Sequence, residues 1–116
     1  MPIPNEYKEI IKTLFTASKE GRVKWASTGI VMEVVLLGSH FNIWAGIDQE
    51  NGQGFVSVSL TSTEGKPLDT WYVDEDDSDF TYMQSVYEAA KRQALGIPNL
   101  LASIQEAINS ATIIGD

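Results

Sequence analysis

Cysteine is absent from this chain of 116 residues. Its absence excludes disulfides, thiolate catalysis and cysteine metal sites together, and it suits a reducing cytoplasm. Long hydrophobic runs are missing as well. The longest, Ile30 to Leu37, is interrupted by Glu33 and falls far short of the roughly 20 residues that span a bilayer. The opening MPIPNEYKEIIK lacks the basic region and apolar run of a signal peptide. A soluble, cytoplasmic protein with no membrane association is therefore expected. Positive charge is scarce: 8 lysines and arginines stand against 16 acidic residues, a net charge of −8. Such a balance repels a phosphate backbone at long range, which argues against direct nucleic-acid binding. It favours solubility and would also suit a basic protein partner. There is no G-x-G-x-x-G, no P-loop and no H-E-x-x-H. Gly52-Gln53-Gly54 reads as a hairpin feature with no helix after it, so it is no phosphate cradle. No cofactor and no metal are expected.

What is present is enough to build one core. Hydrophobic residues make up 43% of the chain, and its length fits a single domain over residues 1–116. Tyr7, Ile10, Ile11, Leu14 and Phe15 recur at helical spacing, which predicts a helix from Asn5 to about Glu20, closed by Gly21. Strands are expected over Val23 to Ser27, Ile30 to Leu37, His40 to Ile47, Phe55 to Thr61 and Leu68 to Val73. The second of these is apolar on both faces, which predicts cover on both sides or a central place in the sheet. Gly38-Ser39, the loop Asp48 to Gly54 and Glu64-Gly65 supply hairpin turns, so the strands form an antiparallel meander. In the third strand Phe41, Ile43, Ala45 and Ile47 point one way and His40, Asn42 and Trp44 the other. In the fourth, Val56, Val58 and Leu60 point inward, and Phe55, Ser57 and Ser59 outward.

Two helices follow. Met83, Val86, Tyr87, Ala90 and Ala94 form one stripe, Gly96 stops that helix, and Pro98 suits the first turn of the next. Leu100, Leu101, Ile104, Ala107 and Ile108 form the second stripe. The expected fold class is α+β: an antiparallel sheet of four or five strands, one helix before it and two after, packed mainly on one face.

Gly21, Lys24-Trp25, the acidic run Asp74 to Asp79, and the pattern Tyr87, Ala90, Ala94, Leu95, Gly96 resemble a group of small uncharacterised bacterial proteins. The resemblance covers most of the chain and rests on packing and capping residues. It implies an α+β bacterial domain and carries no catalytic or binding residue.

Four constellations bear on function. Ser39, His40 and Asp48 contain the residue types of a hydrolytic triad, but Ser39 lies in a hairpin turn without a nucleophile elbow; an exposed strand histidine is the favoured reading. Asp74, Asp76 and Ser78 have the one-three-five spacing of a calcium loop, yet Asp79 and Ser85 stand where glycine and a bidentate glutamate are required. A solvated N-cap for the next helix, through Ser78 or Asp79, explains the run better. The same acidic patch, with Asp74, Asp76, Asp77 and Asp79, would also suit an Arg-rich partner surface. Lastly, Trp44 and Phe55 share the outer sheet face with Asn42 and small polar residues, with Tyr72 or Trp71 joining them according to register. Such a cluster is a candidate protein-binding patch, with His40 at its rim. Its alternative is cover by the chain's own loop, first helix or tail. Trp25, Trp71 and Tyr87 read as packing.

The sequence alone names no biochemical activity. The favoured expectation is a non-enzymatic protein-interaction module, with homodimerisation through the sheet face or an apolar C-terminal edge among its forms. An acidic inhibitor or adaptor in a bacterial or phage conflict system is an alternative. A small-molecule sensor with a pocket between sheet and helices is another.

Overall fold

The computed structural model describes residues 2–115. The elements run α1 (Asn5–Lys19), β1 (Ala26–Thr28), β2 (Val31–Leu36), β3 (Ser39–Ile47), β4 (Gly54–Thr61), β5 (Pro67–Asp74), α2 (Phe80–Ala94) and α3 (Ile97–Ser110). The sheet order is β1-β2-β3-β4-β5 and every pairing is antiparallel. This is the expected α+β meander, with five strands.

Local chemistry sets the boundaries. Gly21 takes a φ of 73° at the end of α1. There the Arg22 N–H donates to the Ala17 carbonyl at 2.8 Å and the Gly21 N–H to the Ser18 carbonyl at 3.1 Å, the paired bonds of a Schellman stop. The β2–β3 turn consists of Leu37 (φ 52°) and Gly38 (φ 78°), with Leu36 paired to Ser39. Two consecutive left-handed residues are what a two-residue primed turn demands. Ser39 therefore opens β3 and does not form the turn. Gly96, at φ 74°, separates α2 from α3.

The core lies between one sheet face and two helices. Met32, Val34, Phe41, Ile43, Val56, Val58, Trp71 and Val73 face Tyr7, Ile11 and Leu14 of α1 and Met83, Val86, Tyr87 and Ala90 of α2 in one buried cluster. Polar ties fix the layers. The Tyr7 hydroxyl donates to Asp69 Oδ2 at 2.8 Å, and the Tyr87 hydroxyl to the Ile30 carbonyl at 2.6 Å. The buried Trp25 Nε1 donates to Ser18 Oγ at 2.7 Å. Trp25, Trp71 and Tyr87 are buried packing residues, as their positions predict.

Three further expectations differ from the structure. β2 is covered on one face only: Met32 and Val34 are buried on it, whereas Val35 on the other face is 58% exposed, and Leu36, at the strand's end on the covered face, is exposed as well. Its β-branched content serves strand formation without two-sided burial. Ile47 alternates correctly but is 69% exposed, because it lies on the last rung of β3, opposite Gly54. At the start of α2, Asp79 makes no side-chain cap bond. Its Oδ2 accepts from the Ile3 N–H at 3.0 Å instead, so this carboxylate ties down the N-terminal segment.

α3 sets the molecule's outline. Its first turns meet α2 and the end of α1, where a β-carbon at Gly21 would lie 3.1 Å from Asn99 Oδ1. No residue of α3 is buried along its length. The radius of gyration is 16.6 Å and the extents are 54 × 34 × 26 Å, against about 13 Å for a compact chain of this length. The excess is consistent with a projecting arm.

Candidate functional site

The register assembles the outer sheet face row by row. Trp44 pairs with Ser57, and Ser57 with Tyr72. Asn42 pairs with Glu33 and Ser59, and His40 with Val35 and Thr61. Phe55 pairs with Gly46 and Asp74. Because both α1 and α2 pack on the opposite face, no described helix covers these rows.

Trp44, Phe55 and His40 are half-buried, while Asn42 and Ser57 are buried within the face. Asn42 Nδ2 donates to Ser59 Oγ at 3.3 Å, so its amide is engaged across the strands. The Phe55 ring lies over Gly46, where a β-carbon would meet ring atoms at 3.1 Å and 3.3 Å. A glycine opposite an aromatic lets the ring fold down and shield the backbone. Trp44 and Phe55 are thus diagonal neighbours, with Phe55 turned toward its own cross-strand glycine. Of the two remaining aromatics, Tyr72 joins the outer face, 49% exposed, and Trp71 belongs to the core. Phe41, Trp71 and Trp25 make their ring contacts on the covered side, with Tyr7 at 6.5 Å from Phe41 and 5.4 Å from Trp71.

The hydrolytic arrangement does not assemble. His40 and Asp48 stand at opposite ends of β3, about 26 Å apart along an extended strand. His40 Nδ1 instead lies 2.9 Å from Glu33 Oε1, in a half-exposed pair on the outer face.

The acidic run is occupied by the chain itself. Asp74 Oδ1 accepts from the Asp76 N–H and Asp77 Oδ2 from the Asp74 N–H, each at 3.0 Å. Glu75 Oε1 accepts from the Gly54 N–H, and Asp76 Oδ2 from Gln53 Nε2 at 2.9 Å. With Asp79 bound to Ile3, every carboxylate of the run accepts a hydrogen bond from this chain. The run is a clasp joining the β3–β4 hairpin, the end of β5 and the N-terminal segment. The calcium-like spacing of Asp74 and Asp76 is an aspartate turn, and among the described residues no three His, Asp or Glu side chains gather as a metal-binding group.

Two hollows remain. An open groove of about 780 Å³ runs between α1, α2 and the start of α3, lined by Phe15, Ser18, Gln84, Glu88, Arg92 and Leu101 among others. Its walls mix charge with apolar surface, and Lys19 Nζ sits 4.2 Å from the Phe15 ring centre at its edge. A second hollow of about 450 Å³ belongs wholly to the arm, between Ile104, Ala107 and Ile108 on α3 and Ala111, Ile113 and Ile114 beyond it. Leu100, Leu101, Ile104 and Ile108 are 40% to 58% exposed.

The stripe on α3 is legible in the sequence. That no described residue of α3 is buried is not, because amphipathic spacing records which face is apolar and not what meets it. No helix among the described residues is long and apolar enough to cross a membrane. Comparison with family models, curated proteins and solved structures finds no match to this chain.

Proposed function

We propose that the chain is a non-enzymatic protein-interaction module whose docking element is the α3 arm. The observation that carries this reading is the arm itself: a 14-residue amphipathic helix with no buried residue. Isolated helices of about 12–15 residues are marginal in water, and tertiary cover of the apolar face is the usual remedy. Exposed apolar surface of this extent marks an interaction site on a folded domain. The outer sheet face, with Trp44, Tyr72 and Phe55, offers a second and more polar surface beside His40 and Asn42. The acidic run is a weaker candidate for a basic partner, since its carboxylates already accept bonds from the chain. A bacterial cytoplasm is the setting this reading proposes, supported by the lack of cysteine, the acidic balance and the resemblance to small bacterial domains.

The test is photo-crosslinking in the cells that naturally make the protein, with the crosslinker placed in turn at Leu101, Trp44 and Asp76. Protein adducts from position 101, with few from 76, are the expected result. Adducts from 44 alone would move the docking surface to the sheet. No protein adduct at any position would overturn the reading.

A further inference from the structure

We infer that the partner of the α3 arm is a second copy of this chain, paired antiparallel about a two-fold axis at Ile104. The inference rests on the docking role proposed above and adds the partner and its register. On a helix turning 100° per residue, Ile97, Leu100, Leu101, Ala107 and Ile108 of α3, together with Ala111 at its C-cap, all fall within about 60° of Ile104. They also lie symmetrically around it along the chain, at three, four and seven residues on either side. A stripe that reads alike in both directions is what an isologous contact requires, because residue i meets j while j meets i. Antiparallel pairing about Ile104 sets Leu101 against Ala107, Leu100 against Ile108 and Ile97 against Ala111. Large side chains then meet small ones at two of the three levels, the interdigitation that close helix packing needs.

The hollows agree with that register. The apolar hollow of about 450 Å³ lies at the C-terminal half of the arm, and antiparallel pairing brings the partner's exposed Leu100 and Leu101 to it. Leu100, Leu101, Ile104, Ile108, Ile113 and Ile114 are 40% to 82% exposed. Their combined apolar surface is of the order of the ~800 Å² each partner gives to a standard interface.

Charge points the same way. The chain carries −8, yet residues 97–115 contain one charged side chain, Glu106, which falls on the side of α3 opposite the stripe. Two like-charged copies meet with least repulsion through this surface. A basic partner would find nothing on it to pair with.

Sedimentation equilibrium of the whole protein, native and with Ile104→Glu, is the test. The native chain is expected to be dimeric at micromolar concentration. Ile104→Glu should weaken association by about 100-fold or more, since it buries two facing carboxylates. The body should keep its circular dichroism, because Ile104 contributes nothing to the core. Ile104→Lys should likewise be monomeric alone, and mixing the Glu and Lys variants should restore a dimer, because this position meets itself. The absence of native cysteine allows a check of direction: Leu101→Cys and Ala107→Cys chains, mixed and oxidised, should form a disulfide with each other, whereas Leu101→Cys alone should not crosslink. A native monomer at about 100 µM overturns the inference, as does a dimer indifferent to Ile104→Glu or a Leu101→Cys self-crosslink. If the protein is monomeric but still gives protein adducts at position 101, the self-pairing fails and the docking role survives. If it is monomeric and gives none at any position, both fail.

Discussion

Leu37 carries two costs at once. It is a fully exposed hydrophobic residue, and its φ of 52° is a conformation that L side chains other than Asn and Asp rarely adopt. Asparagine fits the first position of the same primed turn without that strain. Leu37→Asn is expected to stabilise the monomer by about 1 kcal/mol in urea unfolding; loss of stability would mean that the leucine contacts something in solution. Tyr7 supplies a second test. Burial first, and then its hydrogen bond to the Asp69 carboxylate, push its phenol from 10.0 up to about 12. Above pH 10 the unfolded chain releases this proton before the folded one does. The contribution is therefore complete below pH 10 and disappears as pH rises through about 12. Native protein should lose its stability advantage over Tyr7→Phe across that window, and a difference that stays constant there would refute the assignment.

Elements that depend on local pattern were legible in the sequence. Alternation placed the inward residues of β3 and β4, and the glycines at 21 and 96 marked real left-handed stops. Ile47 and the outer face of β2 misled, because alternation gives direction and not cover: whether a helix lies over a rung depends on where that helix ends. The outer face of Trp44, Asn42 and Phe55 was legible as a face. The turn of Phe55 over Gly46 was not, since it depends on register between strands. The acidic run was the least legible element, because its bonds to Ile3, Gln53 and Gly54 reach across sequence. That clasp separates two substitutions of similar appearance. Glu75→Ala removes the acceptor of the buried Gly54 N–H and should cost about 1–3 kcal/mol. Asp76→Ala breaks an exposed bond to Gln53 and should stay within about 0.5 kcal/mol. Equal losses in thermal unfolding would dissolve the distinction between clasp and solvated loop.

At the scale of the whole molecule, the body and the arm obey different constraints. The body closes its core with α1 and α2 and keeps most of the acidic surface. The arm holds 14 helical residues, almost no charge and no burial of its own. Association through the arm brings together two chains of like charge, each at −8 overall with most of it on the body. That repulsion acts through solvent between exposed groups, so salt screens it, while burial of apolar side chains persists. Raising ionic strength from about 0.05 to about 0.5 M should therefore tighten self-association several-fold. A complex held by the acidic surface against a basic partner must do the opposite and loosen. Sedimentation across that range reads the sign directly. Weaker self-association at high salt would place the contact on paired charges, and the arm would no longer account for it.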